Sequence, residues 1–144
     1  MIIKHMFQKK TFKGQSLVES VVTLGVVVLL VTGLIVGTTS SLKYAQSSRS
    51  RNVATQYASE GLELARKERD NGWIAFARSG IFCVGPNGTI PTEPCVLLDG
   101  QYTRTLTYTY DAVAGAVVVQ AEVAWIEGGT KKTITLQTTL TNWK

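Results

Sequence analysis

At 144 residues and 15.7 kDa the chain has room for one domain, since domains usually run about 100 to 150 residues, and its size excludes a second independent core. A formal charge of +5 and a pI of 9.4 raise a nucleic-acid role. Four of the positive charges (Lys4, Lys9, Lys10 and Lys13) precede Gly14, however, and without them the charge falls to about +1, too little to track a phosphate backbone. Arg49 and Arg51 form only a small cluster, and Arg66, Lys67 and Arg69 are interleaved with Glu63, Glu68 and Asp70, so no specific nucleic-acid partner is expected.

The basic tract that opens the chain gives way at Gly14 to a short polar stretch, Gln15 to Glu19, and then to a dense Val/Leu/Ile/Gly block from Val21 to Gly37. No charged residue lies between Ser20 and Leu42. About 20 apolar residues at a rise of about 1.5 Å cross a hydrocarbon core of about 30 Å, so the block predicts a membrane-spanning helix. The basic flank keeps the segment before it cytoplasmic and sends Lys43 onward across the membrane.

Glu19 sits at the mouth of the apolar block, where a plain signal sequence gains nothing from an acid. A carboxylate near hydrocarbon is costly, about 2.5 to 3.5 kcal/mol at a helix centre and less toward an end, which calls for a partner charge. Placement at the membrane interface, where the helix macrodipole favours an anion, is the other reading.

The run Lys13-Gly14-Gln15-Ser16-Leu17-Val18-Glu19-Ser20 ahead of the apolar block resembles the type III signal of type IV prepilins and pseudopilins. The resemblance implies that a prepilin peptidase cuts between Gly14 and Gln15. Gln15 then becomes the methylated N-terminus, and Glu19, fifth in the trimmed chain, pairs with the free amine of a neighbouring subunit. Such a pair attracts strongly only with good geometry, so Glu19 would set subunit register, and a retained leader would block it. Gln15 stands where the family usually has phenylalanine, and the span contains no proline. The resemblance implies a pilin-like α+β fold, a leader over 1–14, a transmembrane and assembly helix over 15–42, and an extracytoplasmic head over 43–144. The partners it implies are other pilin subunits, the peptidase and the membrane, and the location is a single-pass membrane protein that later enters a surface or periplasmic filament.

Gly33 and Gly37 form a G-x-x-x-G pair, which either permits close helix contact or is ordinary glycine tolerance in a membrane helix. Past the membrane block, Leu42, Ala45, Val53, Ala54, Tyr57, Ala58, Leu62 and Ala65 recur at three- and four-residue intervals, and the helix is expected to continue amphipathically from about Ser16 to Asp70. Glu63 and Lys67 form a favourable i,i+4 pair, and Asn71-Gly72 supplies the stop. The stretch from Ala58 to Glu63 and on to Trp73 is similar to minor pilins of the PilV-like kind. Trp73, Ile74 and Phe76 are expected to cover the helix end.

A long connecting loop is expected over 77–100, where the two cysteines, Cys83 and Cys95, bracket every proline in the chain. Two cysteines without a histidine partner do not make a zinc site. A disulfide is preferred over two unpaired thiols, provided the head lies outside the cytoplasm, and closing such a loop stabilises by about 3 kcal/mol. Strand composition then recurs over Tyr102–Tyr110, Ala116–Ile126 and Lys132–Leu140, predicting an antiparallel meander within 102–141 with one face on the helix near Tyr57, Leu62 and Ala65.

Little chemistry is legible. The sole histidine, His5, lies in the leader, and no phosphate loop, zinc-helix motif or nucleophile elbow occurs, so neither enzyme activity nor a cofactor or metal is expected. Asp99, Asp111, Glu122 and Glu127 read as solvated turn or strand charges. The functions in contention are a pilus or pseudopilus subunit, a membrane-anchored or filament-tip adhesin using the Cys83–Cys95 loop, a pseudopilin of a secretion or DNA-uptake system, and a head released by ordinary cleavage near Thr39 to Ser41.

Overall fold

The computed structural model describes residues 15–86, 88 and 95–143, with the side chains of Gln15 and Ser16 excepted. Contacts divide the chain into two units between Tyr44 and Ala45, although one helix, α1 (Gln15–Asn71), runs through the division.

In the first unit α1 is a bare apolar rod. Every Leu, Val and Ile from Leu17 to Val36 is exposed, and the best 18-residue window has a mean hydropathy of 2.5, so this helix is long and apolar enough to cross a membrane. Its hydroxyls are accommodated internally: Thr23 donates to the carbonyl of Glu19 at 2.7 Å and Thr32 to that of Val28 at 2.8 Å, while Thr38 and Thr39 donate to the carbonyls of Leu34 and Ile35. Bonding back by one turn removes the desolvation cost that an unpaired hydroxyl would carry in hydrocarbon.

The second unit is a four-stranded antiparallel sheet, β1 (Gly80–Cys83), β2 (Thr103–Asp111), β3 (Ala116–Glu127) and β4 (Thr130–Thr141), in that spatial order, with residues 45–71 of α1 packed on one face. The α+β layout is thus a long N-terminal helix followed by an antiparallel meander. A short helix, α2 (Trp73–Phe76), links α1 to the sheet. Period-two alternation buries Arg104, Leu106 and Tyr108 on β2 beneath the helix and turns Thr105 and Thr107 away from it. Val123, Ala121 and Val119 stand opposite them on β3. Gly128 and Gly129, with φ of 57° and 76°, form the tight β3–β4 turn, whose handedness suits two positive φ values. At the β2–β3 turn Asp111 caps the backbone N–H groups of Val113 and Ala114 at 2.9 and 3.1 Å.

Small residues set how close the helix lies. Ala54, Ala58 and Ala65 are fully buried, and Gly61 shares their face. A Cβ at Gly61 would lie 3.1 Å from Cδ of Arg104 and 3.2 Å from a methyl of Leu106. The helix expected over about 16–70 and the three later strands are therefore found, but three local expectations are corrected. The segment over 77–100 is not all loop: Gly80–Cys83 pairs with Thr105–Tyr108 as an edge strand. Four residues carry too little periodicity to be read alone, and their strand conformation comes from the partner. Glu63 pairs with Arg66, one turn along, rather than with Lys67. Finally, Phe76 is buried and Trp73 half-buried, but Ile74 is 94% exposed and covers nothing.

Candidate functional site

The processing and assembly residues inferred from the sequence lie at the start of the first unit. Gly14 and the basic tract before it, with His5, fall outside the described residues, while Gln15 opens α1. Glu19 comes four residues later, about 6 Å along the axis at about 1.5 Å per residue, and its side chain is exposed. With Ser20, Thr23, Leu24 and Val27 it lines a shallow hollow on the helix surface, its carboxylate beside two hydroxyl and two apolar side chains. In hydrocarbon or between packed helices an ionised group there requires an opposite charge.

In the second unit Cys83 and Cys95 are joined by a disulfide, with Cα atoms 5.1 Å apart. The bond ties the end of β1 to the segment that leads into β2. Residues 87 and 89–94 of the bracketed loop, including Pro91 and Pro94, are outside the described residues. Arg104 secures the near side of the same loop. Its guanidinium is 1% exposed and donates to the Gly85 carbonyl at 3.0 Å, to the Tyr57 carbonyl at 3.1 Å and to Glu60 at 2.8 Å. One side chain thereby joins helix, strand and loop. Sequence reasoning passed over it as one more member of an alternating strand. The available signal was its register: two and four residues from Leu106 and Tyr108, it had to face inward and needed an acid on the helix.

A second set of ties holds α1 to β1 and β2. Arg78 bonds Glu68 at 2.5 Å, and Tyr108 donates to the other oxygen of Glu68 at 2.9 Å. The guanidinium of Arg78 also covers the Phe82 ring at 4.7 Å. Burial, reinforced by the bond to Glu68, pushes the Tyr108 phenol well above its ordinary range. Asp99, expected as a solvated turn charge, accepts from the Tyr57 hydroxyl, and that bond together with burial pushes Tyr57 up to about 12. Glu127 accepts from the Trp125 indole at 3.1 Å, which holds its carboxyl below the usual range, with help from Ser47.

These groups fasten the fold together. Among the described residues no group of three or more His, Cys, Asp or Glu is placed to hold a metal ion. No protein-family model, curated protein or solved structure matches this chain.

Proposed function

We propose that this protein is a minor structural subunit of a type IV pilus or related pseudopilus, made as a single-pass membrane precursor and trimmed between Gly14 and Gln15. The trimmed helix packs against its counterparts in a filament, and Glu19 pairs with the new amine of Gln15 on a neighbour. The head over 43–144 lies outside the cytoplasm, where its disulfide persists.

One observation carries the reading. An acidic side chain lies in the first turns of a helix whose apolar side chains from Leu17 to Val36 all face outward. Such a surface needs lipid or other helices around it, and its lone acid needs a cation. The sequence supplies that cation if the lysine-rich leader is removed, because the amine then arises four residues away, on a helix of identical pattern. The pilin-like fold is part of the same reading, supported by the helix-then-meander order.

Mass spectrometry of sheared surface filaments tests this. The expected species begins at a modified Gln15, and recovery only of chains beginning at Met1 would overturn the proposal. Glu19→Ala should abolish incorporation while leaving the precursor in the membrane.

A further inference from the structure

Hydrogen bonds fix which end of the sheet lies beside the first turns of α1 within the second unit. Glu127 accepts from Ser47, and the Tyr102 hydroxyl donates to the Ser50 carbonyl at 3.4 Å, whereas Tyr108 ties the far end to Glu68. The β3–β4 turn therefore sits at the end of the unit where the chain enters it, at Ala45. Ser47 is five residues past Leu42, the last of the uncharged run. Five residues reach at most about 18 Å whatever their conformation. Lys43 and Tyr44, residue types that anchor at a lipid boundary, lie between the two. If α1 spans a membrane, this end of the head is tethered beside it.

That end is both apolar and basic. Ile126 is 73% exposed and stands across from Lys131, while Trp125 stands across from Lys132. Ile126, Lys131, Leu97 and Gln101 share one open hollow of about 220 Å³. Discrete ligand sites run from about 300 to 1,000 Å³, so the hollow is relief on a surface. Val96 and Leu97, each half exposed, add to its apolar character. Lys131, Lys132, Arg49 and Arg51 are exposed around it. The acids beside them are already engaged within the unit, Asp99 by Tyr57 and Glu127 by Trp125 and Ser47. Aliphatic side chains among an excess of cations suit the boundary of an anionic bilayer, where phosphates meet the cations and acyl chains meet the aliphatics. We propose that this end of the head docks on the membrane surface, with Lys131 and Lys132 on anionic lipid phosphates and Ile126 and Leu97 at the acyl boundary. Docking holds the head of the precursor against the bilayer and must be broken when the chain leaves it. This rests on α1 crossing the membrane, and on neither leader removal nor Glu19.

Hydrogen exchange read by mass spectrometry tests this on the full chain in nanodiscs, one set of phosphatidylcholine alone and one of equal parts phosphatidylcholine and phosphatidylglycerol. The β3–β4 turn, over 126–132, should exchange at least about fivefold more slowly in the phosphatidylglycerol discs, the order of one basic side chain's attraction to an anionic surface. The β2–β3 turn, over 111–115 at the opposite end of the sheet, should exchange equally in both. Salt at about 1 M, where the Debye length is about 3 Å, should remove the difference. Lys131→Glu with Lys132→Glu should abolish it, and Lys131→Arg with Lys132→Arg should retain it. The proposal is overturned if the 126–132 turn exchanges equally in both lipids or if the charge reversal leaves the lipid dependence intact. It is also overturned if protection follows the number of chains per disc and not the lipid, which would assign the patch to a second copy. Amides over 21–37 separate the two readings: fast exchange there sinks the membrane span and the docking with it, whereas slow exchange there with an unprotected turn sinks the docking alone.

Discussion

Removing a half-solvated glutamate should cost this protein more than removing surface acids usually does, because its partner cannot give up its charge. Arg104 is 1% exposed and Glu60 is 58% exposed, and they meet at 2.8 Å. Guanidinium stays protonated in proteins, so Glu60→Ala leaves a buried cation with only the Tyr57 and Gly85 carbonyls for company. Breaking a fully buried pair costs about 3 to 5 kcal/mol, whereas an exposed pair is worth about 0 to 1. Water reaching the Glu60 side places this case between them, at about 2 kcal/mol. Arg104→Met removes charged hydrogen bonds to two carbonyls but relieves the dehydration of the guanidinium and of its buried Nε, which has no hydrogen-bond partner among the described residues. It leaves Glu60 in water, so its cost is also about 2 to 3 kcal/mol. The double variant should then be little worse than Arg104→Met alone, giving a coupling of about 2 kcal/mol. Urea unfolding of the full chain in micelles, followed by the fluorescence of the buried Trp125, measures all three. The reasoning fails if Glu60→Ala lies within about 0.5 kcal/mol of the parent, the range of ordinary surface changes, or if the two single costs simply add.

The remaining expectations concern the same unit. Reducing the Cys83–Cys95 bond, or replacing both cysteines by serine, should lower unfolding free energy by about 3 kcal/mol from the loop-closure entropy, and an unchanged urea midpoint under reductant would refute this. Gly61→Val should destabilise by about 1 to 3 kcal/mol through overpacking against Arg104 and Leu106; thermal unfolding checks it, and a raised midpoint would refute it. Ultraviolet titration should find the Tyr57 phenol near 12, and Asp99→Asn should bring it back toward 10. Both Tyr57 and Tyr108 have folded values raised above the unfolded one, so their contribution is complete below about pH 10 and is lost as pH rises through the folded values. Stability should therefore fall above pH 10, and Asp99→Asn should reduce that slope.

How much of this was legible beforehand differs by element. The membrane-length block announced itself through mean hydropathy, and the amphipathic continuation through Ala54, Ala58, Leu62 and Ala65, because helix periodicity depends only on neighbours within two turns. β3 and β4 were legible for the same local reason. β1 was not, since Ile81 and Phe82 become a strand only through pairing with Leu106 and Thr107. Asp99 is the exposed turn residue its spacing suggests, but its bond to Tyr57 was not legible because that partner lies 42 residues away.

By itself the sequence determined the two regimes of the chain, the position of Glu19 beside the apolar block, the long helix and the later strands, all properties of short-range pattern. The alternation of β2 turns Arg104 inward, but tertiary structure alone decided that its partner would be Glu60, that Arg78 would join Glu68 and Tyr108 to one network, and that Trp143 would come to share a cleft with Arg69 and Trp73. Each of those depends on the meander returning the chain to one end of α1, a matter of long-range closure that no local spacing encodes.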